Sequence, residues 1–334
     1  MDPVARRRFL VSAGALLTAP LVRAQVGRAR APFRIGLFPD YKGIYLQMLQ
    51  DAMKRVSWRE GRDYVFVASG AGYGQPTDKG ARRLVDQEVD LILVNSTAHA
   101  LAAHMVSKRI PIVMLSSGYP VEAGVANSLA RPGKNVTGMT LYAGTGIWGK
   151  LLELLQEVKP GIQRVSVPWG YVPPAFPRTE IEPCYRELRS AAQALGLSLH
   201  IEEIASSERV QSAVASIEAS TPDALLITAG PGIWKERERI VAFAADRRLP
   251  TIADFPWPQE AGRSPLLSFG GSFSEGMRQA TTYTVRILGE GARPGQLPIQ
   301  HPSKFNLVVN LKTAKAIGIT IPQSIMLRAD RVIE

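Results

Sequence analysis

Polar and aromatic side chains follow the short apolar runs of this chain, and their types suit the binding of a small molecule. The candidate binding residues are Asp40, Tyr41, Tyr73, Ser96, Thr97, Ser117, Tyr119, Trp169, Tyr171, Gly230 and Asp254. Hydroxyl groups can bind a carboxylate, and aspartate carboxylates can receive an ammonium group. Tyrosine and tryptophan rings offer flat faces to an aromatic, apolar or cationic ligand.

Each of these residue types also has an ordinary structural use. Thr97 could cap a helix that begins beside it, although the free N–H groups of that helix, with the hydroxyls of Ser96 and Thr97, would also attract a carboxylate. Asp40 and Asp254 could be turn residues at strand ends. Any one of the aromatic rings could pack a loop instead of a ligand. Both interpretations stay open at this point.

Patterns of catalysis and of metal binding are weak in this sequence. The glycine-rich segment SGAGYG at 69–74 follows the second strand-like run and lacks the GxGxxG spacing of a dinucleotide site, and the chain contains no GxSxG pattern. His99 and His104 are five residues apart, so they do not share one helical face as an i, i+4 pair would. Cys184, the only cysteine, is most simply a buried apolar side chain. We expect no catalytic residue, no metal and no cofactor.

Strands and helices are predicted to alternate through most of the chain. Apolar runs of strand length lie at 34–38, 64–68, 91–94 and 110–115, with helical spacing of apolar residues between them. Nearly continuous apolar strands are typical of a parallel sheet that is covered on both faces. Ligands of such sheets bind beyond the carboxyl ends of the strands, which is where the candidate residues lie.

The two halves of the chain repeat one order of elements. Predicted strands begin near 34, 64, 91, 111 and 136 in the first half, and near 163, 198, 224, 250 and 266 in the second. The segment 127–140 lies between the halves and includes Arg131-Pro132-Gly133-Lys134, which fits neither a helix nor a strand. The sequence therefore predicts two α/β lobes, with a first crossing between them in this segment. An ordinary surface turn is the alternative.

The N-terminal segment is typical of an export signal. Arg6-Arg7-Arg8-Phe9-Leu10 precedes a modest apolar segment at 11–22 and small residues near Ala24. This pattern predicts a twin-arginine-type signal peptide over 1–24, cleaved near Ala24, and a periplasmic protein. The alternative is a disordered basic tail. The net charge is +11, and beyond residues 1–24 the basic residues are spread singly and in pairs without a basic run, so we expect no nucleic-acid partner.

Three stretches resemble a known family. SLARPGKNVTG at 128–138, KLLELLQEVKPGIQRV at 150–165 and KFNLVVNLKTAKAIGITIPQSIMLRADRVIE at 304–334 are similar to periplasmic substrate-binding components of ABC importers. The subgroup is often labelled tryptophan/tyrosine-type. The resemblance implies a type I periplasmic-binding-protein fold, in which two doubly wound parallel-sheet lobes are joined by three crossing strands.

That family fold implies a division of the chain into lobes. Lobe one would hold 32–140 and 270–300, and lobe two 141–269 and 301–334. The crossings would lie near 137–141, 267–270 and 298–305. The helix predicted at 275–288 would then return to lobe one.

The resemblance also implies a function without catalysis. The protein would capture a small organic solute, an amino acid or an aromatic or other organic acid, and deliver it to ABC permease subunits as a monomer. The family commonly has asparagine-proline where this chain has Trp169-Gly170, and often an acidic residue in the loop 229–232, so the family's ligand label is not carried over. The alternatives are a ligand sensor for a kinase or chemoreceptor, a Rossmann-like enzyme and, least favoured, a repressor, because an export signal occupies 1–33.

Overall fold

The structure is a computed structural model that describes residues 31–72, 78–140, 146–170, 173, 178–255, 257 and 263–334. The predicted signal peptide at 1–24 lies outside the described residues. So do two of the candidate binding residues, Tyr73 and Tyr171. The description below concerns the compact unit Pro32–Glu334.

Strands and helices alternate as the sequence predicts. The strands are β1 (Phe33–Phe38), β2 (Tyr64–Ala68), β3 (Leu91–Val94), β4 (Ile112–Met114), β5 (Val136–Gly138), β6 (Arg164–Trp169), β7 (Ser198–Glu203), β8 (Ala224–Ile227), β9 (Thr251–Ala253), β10 (Leu267–Gly271), β11 (Phe305–Asn310) and β12 (Arg331–Ile333). The helices are α1 (Gly43–Arg55), α2 (Asp78–Asp86), α3 (Thr97–Val106), α4 (Ile147–Val158), α5 (Arg178–Ala194), α6 (Val210–Ala219), α7 (Pro231–Asp246), α8 (Phe273–Leu288), α9 (Leu311–Ile317) and α10 (Gln323–Met326).

The strands form two sheets whose first five members have the same order. The first sheet runs β2-β1-β3-β4-β5, and the second runs β12-β11-β10-β9-β8-β6-β7. Read from β7, the second sheet repeats the order of the first. Neighbouring strands are parallel except β10 and β11, which are antiparallel. The predicted α/β class with two doubly wound parallel sheets is confirmed.

The chain passes between the two sheets more than once. After β10 in the second sheet, α8 packs against α1 and β4 of the first. The chain then pairs with the first sheet's end, because Met139 and Gln300 form a parallel bridge, before β11 returns to the second sheet. The sequence did not predict α10 or β12, which follow α9; β12 pairs with β11 as an edge strand.

Short polar residues fix where several helices begin. The side chain of Ser96 accepts from the N–H of His99 at the start of α3, and Ser272 accepts from Glu275 at the start of α8. Asn310 does the same for α9. These caps satisfy N–H groups that the first turn of a helix leaves without partners. They therefore fix the positions of these first turns, and Ser96 lies at the carboxyl end of β3.

Helices cover both faces of the second sheet. Val165, Val167 and Trp169 of β6 pack with α4 and α5 in one apolar cluster. Leu225 and Ile227 of β8 pack with α6 and α7 in another. Successive residues of a strand point to opposite faces, so continuous apolar strands suit a sheet that is buried on both sides.

Gly276 in α8 allows that helix to contact the end of the first sheet. A Cβ at this position would lie 2.3 Å from the main-chain oxygen of Leu115. We expect Gly276→Ala to lower the free energy of unfolding by about 1–3 kcal/mol, because the helix must move away from the sheet. Urea unfolding measures this change.

Gly149→Ala is the matched control, since Gly149 also lies inside a helix. Its added methyl group would meet only the Cβ of Ala191, at 3.6 Å. Alanine is the better helix former, so this variant should be neutral or more stable by up to about 1 kcal/mol. Equal destabilisation of the two variants would contradict the proposed close packing of α8.

Candidate functional site

Asp40 lies at the carboxyl end of β1 and holds the segment that follows β2. Its Oδ1 accepts from the N–H of Ser69 at 2.7 Å and from the Ser69 hydroxyl at 2.8 Å. The N–H of Gly70 also donates to this carboxylate, at 3.1 Å from Oδ2. These donors occupy acceptor positions on both carboxylate oxygens. Asp40 therefore has a structural role here, as the turn interpretation anticipates.

Asp254 has a similar use in the second sheet, although it follows a strand that corresponds to β4 and not to β1. It follows β9, is buried, and its Oδ1 accepts from the N–H of Ala229 at 3.0 Å. The next residue, Gly230, has a φ of +146°, and a Cβ there would lie 2.0 Å from the oxygen of Gly170. Glycine is needed at 230 because the segments after β6 and β8 touch main chain to main chain.

The hydroxyl groups of the first sheet's edge bond mainly to their own surroundings. Ser96 Oγ lies 2.7 Å from His99 Nδ1, and Thr97 Oγ1 accepts from the N–H of Gly118 at 3.0 Å. Ser117 donates to the oxygen of Met139 at 3.1 Å. The structure thus brings Thr97 and the segment after β4 together, as the topology predicts. Tyr41, in contrast, is buried in the core of the first sheet.

Tyr119 connects the edge of the first sheet to the helices of the second. Its hydroxyl donates to Glu187 Oε2 of α5 at 2.8 Å. Its ring is buried in the same apolar cluster as Trp148 and Trp169. Burial raises the pKa of the Tyr119 phenol, so the group stays protonated and able to donate.

Trp169 is completely buried within these rings. Its centroid lies 5.3 Å from that of Trp148 and 4.8 Å from that of Tyr185. We call Tyr119, Trp148, Trp169 and Tyr185 the Tyr119 cluster. The sequence predicts a ligand-facing role for Trp169, which stays a prediction, and the structure adds a packing role.

A second group of rings joins the two sheets, and the sequence did not single it out as a site. Tyr45 of α1 lies 5.3 Å from Phe273 and 6.4 Å from Trp234 of α7, measured between centroids. Trp234 lies 5.6 Å from Phe255. All four side chains are half-buried. We call Tyr45, Phe273, Trp234 and Phe255 the Tyr45 cluster.

The two clusters reach the second sheet on opposite faces. The Tyr119 cluster involves α4 and α5, whereas Trp234 belongs to α7 on the other face. A helical spacing of aromatic residues is the only sequence signal for Tyr45 and Trp234, and that signal does not separate a site from a core.

The amide of Asn95 and the absence of a metal-ligating group among the described residues also bear on what this region can bind. The buried Oδ1 of Asn95, directly after β3, has no hydrogen-bond partner among the described residues. An amide can donate or accept, so Asn95 can serve a polar ligand group of either kind. In the described part of the chain, no group of three or more His, Cys, Asp or Glu side chains is arranged to hold a metal ion.

A surface cavity of about 310 Å³ lies elsewhere, where the chain passes between the sheets. It is lined by Gly146, Ile147, Gly149, Lys150, Glu153, Phe269 and Phe305. The rings of Phe269 and Phe305 stack there with centroids 5.6 Å apart. None of the sequence-predicted binding residues lines this cavity.

Comparison with known proteins identifies the family. The family model described as "ABC transporter substrate binding protein" matches residues 44–333. The chain belongs to this family. A tyrosine-binding protein of Clostridioides difficile (strain R20291) is 25% identical over 80% of this chain and 74% of its own length.

Solved structures of similar proteins share the fold. A conserved domain protein from Vibrio cholerae is 25% identical with a TM-score of 0.77, covering 90% of this chain and 99% of its own. An ABC domain from Streptococcus pneumonia, solved in complex with L-Trp, is 21% identical with a TM-score of 0.76, covering 90% of this chain and 100% of its own. The predicted family and the type I periplasmic-binding-protein fold are thereby confirmed.

Family members of this kind are transport proteins that bind small-molecule ligands. A search of the described helices finds none with the length and apolar character required to cross a bilayer.

His99 should make the stability of this substrate-binding protein depend on pH. Burial lowers the pKa of His99 to about 3, against an ordinary value of 6.5. The unfolded chain binds a proton at that histidine between pH 6.5 and 3 and the folded chain does not. Stability from this residue is therefore complete above pH 6.5 and is lost as the pH falls, by up to about 1.4 kcal/mol per pH unit.

We expect His99→Gln to flatten the slope of unfolding free energy between pH 4 and 6.5, as measured by urea unfolding. His301→Gln removes an exposed histidine and should leave the slope unchanged. The comparison uses slopes because His99→Gln also alters the contact with Ser96. An unchanged slope in His99→Gln would show that His99 is accessible to protons in the folded state.

Proposed function

We propose that this protein is the periplasmic solute-binding component of an ABC importer. It captures a small organic solute, an amino acid or an aromatic or other organic acid, between two lobes and delivers it to permease subunits. Membership of the substrate-binding family supports this proposal, as does the name of the tyrosine-binding relative. The protein is a binder that breaks no bond, needs no cofactor or metal, and acts as a monomer without a nucleic-acid partner.

The observation that carries the proposal is the pair of ring clusters between the sheets. The lobes are those implied by the family fold, with 32–140 and 270–300 in lobe one, and 141–269 and 301–334 in lobe two. The Tyr119 cluster and the Tyr45 cluster each include residues of both lobes. A solute held between the strand ends would be enclosed by these contacts, and its enclosure would create the surface that a permease recognises.

Export would place the protein where a permease can receive the solute. Residues 1–24 serve as a twin-arginine-type signal peptide that is cleaved near Ala24, which leaves the mature protein in the periplasm. The arginine run at 6–8, the modest apolar segment and the small residues before Gln25 support this step.

Thermal unfolding in the presence of single solutes tests the proposal. A solute that binds the folded chain only should raise the midpoint in a concentration-dependent manner, by mass action. A library of amino acids, aromatic carboxylates and small organic acids provides the probes. Failure of every compound to shift the midpoint at millimolar concentration would contradict the proposed function, as would chemical conversion of a bound solute.

Tyr119→Phe tests whether the contact between Tyr119 and Glu187 belongs to the solute-bound form. Loss of a hydrogen bond to a carboxylate costs about 1–2 kcal/mol, so we expect up to about tenfold weaker solute binding. Isothermal titration calorimetry with the best solute of the screen measures it.

Tyr283→Phe is the matched control for this variant. Tyr283 is a buried tyrosine that belongs to neither ring cluster, and its hydroxyl donates to the oxygen of Pro298 at 2.6 Å. This control should lose stability but keep its affinity for the solute. Equal affinities for Tyr119→Phe and the native protein would show that the contact does not stabilise the bound form.

A further inference from the structure

Arg237 lies beside Trp234 of the Tyr45 cluster, and its guanidinium has spare hydrogen-bonding capacity. It lies on α7, where Nη1 donates to the oxygen of Trp234 at 2.6 Å and Cζ lies 5.0 Å from the centre of the Trp234 ring. Its Nε is buried and has no hydrogen-bond partner among the described residues. No carboxylate of the described chain lies within ion-pair distance of it.

A half-buried guanidinium without a carboxylate is costly to maintain. A buried donor without an acceptor loses its hydration and gains nothing in return. The Nε and Nη2 edge of arginine presents two parallel N–H groups, whose spacing matches the two oxygens of a carboxylate. A ligand carboxylate would satisfy Nε and neutralise the charge in one contact.

The rings around Arg237 come from both lobes. Burial raises the pKa of Tyr45 of α1, and the nearby positive charge of Arg237 partly opposes this shift. Tyr45, Phe273, Trp234 and Phe255 together offer apolar faces next to the guanidinium. This combination suits a flat apolar group that carries a carboxylate.

An α-amino acid would also need an acceptor for its ammonium group. The two aspartates at the strand ends already accept hydrogen bonds from main-chain N–H groups, Asp40 from Ser69 and Gly70 and Asp254 from Ala229. The amide of Asn95 is uncharged and gives an ammonium group less than a carboxylate would. An α-ammonium group would therefore have to share these carboxylates with main-chain donors, and the cost of its desolvation would be only partly offset.

We propose that the solute is an aromatic carboxylate without an α-amino group, and that Arg237 binds its carboxylate. This inference rests on the proposed solute-binding function and narrows its ligand class. It distinguishes the protein from relatives whose names refer to tyrosine or L-Trp.

Two matched series of compounds test the ligand class by isothermal titration calorimetry. One series is L-tyrosine, 3-(4-hydroxyphenyl)propanoate and tyramine, and the other is L-tryptophan, indole-3-propanoate and tryptamine. Within each series the ring is constant, while the second compound lacks the amino group and the third lacks the carboxylate. We expect a propanoate to bind at least tenfold more tightly than its amino acid, and the amines to bind more weakly still.

Arg237→Gln should weaken binding of the propanoate by at least tenfold. Arg239→Gln is the matched control, because Arg239 is an exposed arginine of the same helix and its loss changes the net charge equally. It should leave the affinity within about twofold. Arg237→Lys keeps the charge without the paired N–H groups and should fall between them. Unfolding midpoints of the unliganded variants separate a loss of binding from a loss of folding.

The outcomes separate this inference from the proposed function. An amino acid that binds as tightly as its propanoate, or an Arg237→Gln variant with native affinity, would overturn the inference and leave the proposed function standing. Absence of binding in both series would also overturn it. In that case a thermal shift by another solute of the wider library would still support the proposed function. If no solute of that library shifted the unfolding midpoint, both the inference and the proposed function would be contradicted.

Discussion

The main-chain N–H groups at the strand ends need acceptors, and one aspartate supplies them in each half of the molecule. Asp40 holds the segment after β2, and Asp254 holds the segment after β8. Buried N–H groups without acceptors are costly, so these carboxylates are needed where they are. Their commitment fixes the shape of both edges. A contact of either carboxylate with a ligand ammonium group stays a prediction.

The facing edges are then connected by aromatic side chains. Tyr119 reaches α5 on one face of the second sheet, and Tyr45 reaches Trp234 on the other. These contacts combine large apolar area with a few directed hydrogen bonds. They connect regions that the chain also joins covalently through its passages between the sheets.

The succession of strands and helices along the chain could be predicted from the sequence, because continuous apolar runs alternate with helical spacing and the same succession appears in both halves. The extra elements α10 and β12 could not, because Gln323–Met326 is a single turn and Arg331–Ile333 pairs only at an edge. Ser96, and not Thr97 as the sequence suggests, caps α3, because Thr97 Oγ1 accepts from the N–H of the distant Gly118. The partners of Tyr119, Trp234 and Arg237 could not be predicted from the sequence. They depend on contacts between segments that are far apart in the chain, and no local pattern indicates such contacts.

The candidate residues were selected because ligands of parallel sheets bind at the carboxyl ends of the strands. This rule locates the edge of the sheet, but it does not show which side chains there already bond to or pack against other residues of the protein. Trp169 illustrates the gap, since its ring is completely buried against Trp148 and Tyr185. Sequence cannot distinguish a ring that meets a ligand from one that packs against other rings. Arg237 illustrates the converse, because only its surroundings show that Nε lacks an acceptor among the described residues.

A crystal structure of the protein saturated with the solute that most raises its unfolding midpoint tests the central claim directly. The account predicts electron density for the solute between the carboxyl ends of the two sheets, with contacts to both the Tyr45 cluster and the first sheet's edge. Density in the cavity between Phe269, Phe305 and Lys150, with the strand ends empty, would contradict it.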